Sequence, residues 1–340
     1  PAISQLGKLA VTLASAVNAQ NAKGMDQYGQ LGGALFSVPP PAVTASSANT
    51  GSGSVSASIA DASQLSGSDY VLKYNGSGWS MTDAASGASI ALSGDGSAAN
   101  PLTGAGLSIV TGGTPAAGDQ FLVRPTYGAA GSIAVTTSDP GKVAAAAPVQ
   151  VKAGGGNSGA ARVGGVTVSD AGNASLLATS VIQFTSATTY SVNGAGSYAY
   201  TSGTPISVNG VQLQLSGTPA AGDSFTVSAN SGGSGDNSNA TLLAGIANQT
   251  LLNGGVDTLA SANASLVSTV GAQAQQATAQ LSAQTAIRSQ DQSTRDSASG
   301  VNLDEEAASL MQFQQAYQAA AQVISTSNTL FQSLLSALHG

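Results

Sequence analysis

The apolar positions of this chain follow three textures. From 1 to about 36, Ile3, Leu6, Ala10, Leu13 and Val17 recur at spacings of three and four, the stripe of a helix packed along one side. Gly24, Gly29, Gly32 and Gly33 then interrupt it, and the prolines at 39–41 forbid its resumption. From about 50 to 230 the period falls to two. Alternating runs (DYVLKY at 69–74, QFLVRP at 120–125, SIAV at 132–135, VIQF at 181–184, VQLQL at 211–215 and SFTVSA at 224–229) are separated by Gly, Ser, Asn and Asp. They predict antiparallel sheets with one dry face. From about 236 the helical period returns. Asp236 is a candidate cap for a short helix carrying Leu242, Leu243 and Ile246. An Ala/Gln-rich helix follows over 257–296, with Leu259, Leu266, Val270, Ala277, Leu281 and Ile287 as sparse apolar marks.

The last segment is the most regular. Asn302 and Glu305 form an N-cap with a capping-box-like partner, and Asp304, Glu305 and Glu306 put negative charge at the positive end of the helix dipole. Leu303, Leu310, Tyr317, Ile324, Phe331 and Leu338 recur every seven residues, beside a second column of Phe313, Ala320, Ser327 and Leu334. A straight helix drifts about 20° per heptad against such a seam, so the pattern calls for a partner helix. The column spans about 54 Å at 1.5 Å per residue. The partner is either another helix of this chain, at 1–22 or 257–296, or a helix of a neighbouring subunit. The terminal position and the low charge after Glu306 favour the neighbour.

One phrase is written twice. GTPAAGD stands at 113–119 and again at 217–223, and with that displacement of 104 there are eleven identities over 101–123. Apolar residues also replace each other at Leu102/Ile206, Leu107/Val211 and Ile109/Leu213. Such self-similarity marks a duplicated supersecondary unit. Within the phrase, Pro115 and Pro219 preset φ, Gly118 and Gly222 supply a left-handed corner, and Asp119 and Asp223 accept hydrogen bonds from turn amides. Asp119 or Asp223 as a catalytic acid is the rival reading, and neither has a partner carboxylate in its motif.

The order helix, sheets, helix predicts a mixed α and β multidomain chain: a long coiled-coil-like helical rod with two inserted antiparallel β domains. The expected divisions are an outgoing rod segment at 1–36, a linker at 37–49, a first β domain at 50–151 and a Gly-rich linker at 152–165. A second β domain follows at 166–230, then a returning rod segment at 236–300 and an assembly helix at 301–340.

Composition narrows the function. Only 7% of residues are charged and 4% aromatic, so cores should be thin and backbones close. Nine Lys plus Arg in a chain of net charge −7 leave no basic stripe for a phosphate backbone, and no apolar run approaches a membrane span. Neither nucleic acid nor membrane insertion is expected. There is no cysteine, and the one histidine is His339, which leaves almost no material for a thiol nucleophile, a Ser-His-Asp triad or a histidine-rich metal site. Gly154, Gly156 and Gly159 satisfy G-x-G-x-x-G, but no amphipathic helix or downstream acidic residue accompanies them. We therefore expect no enzyme, cofactor or metal. The alternative to a rod protein is a β-rich extracellular adhesin or fibre with a helical oligomerisation tail.

SGVNLDEEAASLMQFQQAYQAAAQVISTSNTLFQSLL at 299–335 resembles the C-terminal signature of flagellar axial proteins, most specifically the hook-associated protein 1 family of hook–filament junction proteins. LASAVNAQNAKGMDQYGQLGGALF at 13–36 is similar to the same family through Asn18, Gly24, Asp26, Gly29 and Phe36, with Asn21 where a histidine is usual. GTPAAGDQFLVRP at 113–125 and GDNSNA at 235–240 add to the resemblance. It implies an extracellular subunit of the bacterial flagellum, exported by the flagellar type III route without a cleaved signal peptide and polymerised as a short axial ring. Implied partners are copies of itself, hook protein, a second hook-associated protein and an export chaperone. The resemblance makes Leu303, Leu310, Phe313, Tyr317, Ile324, Phe331, Leu334 and Leu338 an assembly and chaperone surface. It also implies a preceding N-terminal half that pairs with the terminal helix.

Overall fold

Helix α1 (Ala2–Asn21) turns its apolar stripe the opposite way from expectation. In the computed structural model, which describes residues 2–231, 235–300 and 303–338, the buried positions of α1 are Ser4, Gly7, Lys8, Val11, Thr12, Ala14 and Asn21. Ile3 is 60% exposed, and Leu6 and Leu13 are exposed with it. The reason is a close backbone approach. A Cβ on Gly7 would lie 1.9 Å from the Thr126 carbonyl oxygen, and the Thr126 hydroxyl donates to the Ser4 carbonyl at 2.8 Å. The backbones meet where Ser4 and Gly7 lie against Thr126, and with that face inward Ile3, Leu6 and Leu13 are left outside.

After α1 the chain forms β1 (Phe36–Ser37) and enters a first β module of eight strands: β2 (Ala42–Ala45), β3 (Ser54–Ile59), β4 (Tyr70–Tyr74), β5 (Trp79–Asp83), β6 (Ser89–Ile90), β7 (Leu102–Gly104), β8 (Leu107–Gly112) and β9 (Gln120–Arg124). They make a five-stranded sheet, β2-β9-β4-β5-β6, and a three-stranded sheet, β3-β8-β7, antiparallel throughout. The core between them holds Tyr70, Leu72, Met81, Leu107, Ile109, Phe121 and Val123, and Val11 of α1 joins it. Helix α2 (Ala129–Ser132) contributes Ala129 to the same cluster, and β10 (Ala134–Val135) pairs with β1. The run SIAV is thus divided between a helical turn and a two-residue strand.

The second module repeats the first: β11 (Val149–Ala153), β12 (Arg162–Val168), β13 (Ser180–Ser186), β14 (Thr189–Val192), β15 (Ala195–Ala199), β16 (Pro205–Val208), β17 (Val211–Ser216) and β18 (Ser224–Ala229). Its sheets, β11-β18-β13-β14-β15 and β12-β17-β16, have the connectivity of the first module strand for strand. Ile182, Phe184, Leu213, Leu215, Phe225 and Val227 fill its core, with Phe184 edge-on to Tyr200 and Phe225. The duplication therefore extends well beyond the repeated phrase.

These strands correct the expected linkers. Residues 42–45 of the supposed linker 37–49 are β2, the first strand of the module. The supposed Gly-rich linker 152–165 carries the end of β11 and the start of β12, so it joins two strands of one module and separates no domains. Each module begins and ends on neighbouring strands, with Ala42 opposite Arg124 and Val149 opposite Ala229. The Asn230 amide donates to the Pro148 carbonyl at 2.9 Å, so both modules leave and rejoin the chain at single points.

Helix α3 (Ser238–Gly245) and a hairpin of β19 (Thr250–Leu252) and β20 (Asp257–Thr258) follow. Asp236 Oδ1 accepts the Ser238 amide ahead of α3 at 2.9 Å; Leu242 is exposed, whereas Ile246 is buried. Helix α4 (Leu259–Ser299) then begins. The chain divides into two units, Pro1–Val270 and Gly271–Gly340. The second contains the rest of α4 and helix α5 (Leu303–Leu338).

Candidate functional site

Three constructions carry the residues singled out by sequence: a duplicated latch, a polar hub and an unpaired helical seam. In the first latch, Asp119 Oδ2 accepts the Ala116 amide at 2.9 Å, and the carboxylate also accepts the amides of Thr50 and Gly51. In the second, Asp223 accepts the amides of Ala220, Ser158 and Gly159. Gly118 and Gly222 hold φ values of +99° and +93° beside them, a conformation that favours glycine. The Ala116 amide foremost, with those of Thr50 and Gly51, holds the Asp119 carboxyl below its ordinary value against the upward push of burial. Ala220, Ser158 and Gly159 do the same for Asp223. These carboxylates are saturated with backbone donors, which is how ionised side chains serve structure.

Sequence reasoning missed the other half of each latch. Asn49 accepts the Gln120 amide and donates to the Gln120 carbonyl, at 2.8 and 2.9 Å. Asn157 makes the same pair with Ser224 at the same distances. The signal was Asn-Thr-Gly at 49–51 against Asn-Ser-Gly at 157–159. It lay out of register, because Thr50 and Asp119 are 69 residues apart while Ser158 and Asp223 are 65 apart. Gly159, the last glycine of the G-x-G-x-x-G match, belongs to this latch. Its absent Cβ would stand 2.4 Å from the Ala220 nitrogen.

The hub roots both modules at the end of α1. Asn21, fully buried, donates to the Gly33 carbonyl and accepts the Ala144 amide at 2.8 and 2.9 Å. Asn239 of α3 donates to the Ala144 carbonyl at 2.6 Å and accepts from Gln20 Nε2. Asn18 accepts the amides of Leu35 and Phe36 and donates to the Phe36 carbonyl. Gly24 admits Asn239 so closely that a Cβ would lie 2.2 Å from its Nδ2. Asn21, which stands where a histidine is usual, is therefore a structural hub.

The seam is the exposed part. Leu303, Leu310, Phe313, Tyr317, Ile324, Phe331 and Leu334 all lie on α5 and are exposed, Phe313 at 75%, Tyr317 at 78% and Phe331 at 65%. Glu305 sits in the acidic first turn with Asp304 and Glu306. Asn302, His339 and the side chain of Leu338 lie outside the described residues. Burying each large side chain would be worth about 1.5–3 kcal/mol, so this face has a large unrealised capacity for association. Among the described residues no cluster of His, Asp and Glu could hold a metal ion, and no helix is long and apolar enough to cross a membrane.

Duplicated antiparallel β modules rooted on a helix, and a long C-terminal helix with an exposed apolar seam, define a mixed α and β class of protein. Three family models match the chain. The flagellar hook-associated protein FlgK helical domain covers 1–36, the D2-like domain of flagellar hook-associated protein 1 covers 44–125, and the flagellar basal body rod FlgEFG C-terminal domain covers 292–337. The chain is 26% identical over 330 residues to flagellar hook-associated protein 1 of Escherichia coli K12, covering 97% of this chain and 45% of the relative. Against the Salmonella typhimurium protein of that name it is 26% identical over 331 residues, covering 97% and 46%. The solved flagellar hook junction protein FlgK from Burkholderia pseudomallei is 35% identical with a TM-score of 0.74, over 87% of this chain and 60% of that one. The chain is similar to the flagellar hook-associated protein 1 family along most of its length, and it spans about half the length of the curated relatives it matches. Members of that family are structural proteins of the flagellum, and the adhesin alternative is not supported.

Proposed function

We propose that this chain acts as a structural subunit of the bacterial flagellum, joining hook to filament by polymerising into a short axial ring. One observation carries the reading: α5 presents its heptad seam to solvent along its described length, and an apolar face of that size is stable only when another helix covers it. Leu303, Leu310, Phe313, Tyr317, Ile324, Phe331 and Leu334 form the assembly face, and before assembly the same face is held by an export chaperone. Glu305 lies in the first turn of α5 with Asp304 and Glu306. The outward stripe Ile3, Leu6 and Leu13 of α1 is a second helical contact face. The helices form coiled-coil contacts with copies of the chain, with hook protein and with the second junction protein. The site of action is the extracellular flagellum, reached by the flagellar type III route. The latches of Pro115, Gly118 and Asp119 and of Pro219, Gly222 and Asp223 keep the modules rigid as outward spacers.

The test is motility. Tyr317→Asp or Ile324→Asp, placed in the protein that carries this chain, abolishes filament attachment and chaperone capture while the β modules keep their circular-dichroism signature. Normal filament attachment by these variants contradicts the proposal.

A further inference from the structure

Lys8 stands on the buried face of α1 with only 5% of its surface exposed, and among the described residues its ammonium forms no salt bridge. Its Nζ donates to Asn253 Oδ1 at 2.6 Å. Asn253 lies in the β19–β20 turn at φ +54°, and its Nδ2 donates to Asp257 Oδ2. The turn is fastened from its other side, where the Gly254 amide donates to the Ser63 carbonyl at 2.9 Å. An amine, a carboxamide and a carboxylate are thereby held in sequence, with the nitrogen against an oxygen that is bonded to the carboxamide carbon. We propose that Lys8 and Asn253 join in an intramolecular amide bond, with Asp257 carrying the proton.

The chemistry is self-contained. The neutral Lys8 amine attacks Cγ of Asn253, a new C–N bond forms, and the bond from Cγ to Nδ2 breaks. Nζ gives up one proton, and Nδ2, held by the Asp257 carboxylate through which that proton is carried, gains one and leaves as ammonia. No oxidant, reductant or cofactor enters. Burial pushes the Lys8 amine below its ordinary value, opposed by the charge of Asp257, so burial enlarges the nucleophilic fraction. Held reactants replace a bimolecular encounter, and a carboxylate hydrogen-bonded to the leaving amide is placed for general acid–base transfer.

The consequence is mechanical. The two residues are 245 apart, and the chain between them includes both β modules. The bond would fasten α1 directly to the hairpin from which α4 departs. Tension passing from one helix to the other would then bypass both modules.

The experiment is the intact mass of the folded full chain. A closed bond makes it lighter than its sequence by about 17 Da, the mass of ammonia, and a digest yields one branched peptide containing Lys8 and Asn253. Lys8→Arg and Asp257→Asn each restore the full mass. The second alters only the hairpin, so a folding defect in α1 does not confuse the result. A folded wild-type chain at full sequence mass overturns the proposal. So does a loss of ammonia that persists in Lys8→Arg without a branched peptide, which marks cyclisation of Asn253 onto Gly254.

Discussion

Asp119 and Asp223 each gather three backbone amides from two stretches of chain far apart in sequence. Replacing either by Ala leaves those donors without their acceptor. We expect Asp119→Ala to lower the melting midpoint of the first module and Asp223→Ala that of the second, read by calorimetry. Both carboxyls are held below their ordinary value in the fold. Their stabilisation is therefore fully present above the ordinary carboxylate range near about 3.9 and is lost as pH falls through the lower folded value. Acid titration of the double variant should show a shallower decline than wild type. Gly7 gives a second prediction at this scale. In a free helix Gly→Ala stabilises by about 1 kcal/mol, but here the added Cβ meets the Thr126 carbonyl. Gly7→Ala should instead lower the midpoint for unfolding of α1 with the first module, and a raised midpoint contradicts the packing. The repeated GTPAAGD was legible in the sequence because it is contiguous. Asn49 and Asn157 were not, because the two latches span 69 and 65 residues and so fall out of register in the repeat.

Elements were legible as periods, and their faces were not. The alternating runs at 69–74, 120–125, 181–184, 211–215 and 224–229 coincide with strands β4, β9, β13, β17 and β18. Yet α1 turns Ile3, Leu6 and Leu13 outward, because periodicity reports that a helix has an apolar face without reporting which surface is smooth enough to be approached closely. Glycine density misled in the same way at 152–165, where Gly159 is needed for proximity to Ala220. For α5, the heptad pattern stated that a partner is required, and the structure shows the seam exposed. Without tertiary packing a helix depends on weak local propensity. Amide exchange followed by mass spectrometry should accordingly find α5 fast, completing within the dead time or shortly after, while β4, β9, β13 and β18 are protected for hours. Slow exchange along α5 in the isolated monomer contradicts an unpaired helix.

For the molecule, insertion at single points makes each module separable. Removal of 149–229, joining Pro148 to Asn230 across their existing hydrogen bond, should leave the first module with its own melting transition and preserve assembly. Loss of filament attachment in that deletion would make the second module part of the junction contact. Core truncations should be equally local. Ile109→Ala and Leu213→Ala occupy equivalent, fully buried positions, and each should cost about 2–5 kcal/mol in its own module alone.

The central claim, that the α5 seam exists to be covered in assembly, is open to direct measurement because the chain has no cysteine. Single cysteines at Tyr317 and Ile324 can be labelled with a maleimide in the soluble subunit and again in isolated hook–filament junctions. The account predicts rapid labelling of the subunit and protection in the junction; equal labelling in both states contradicts it.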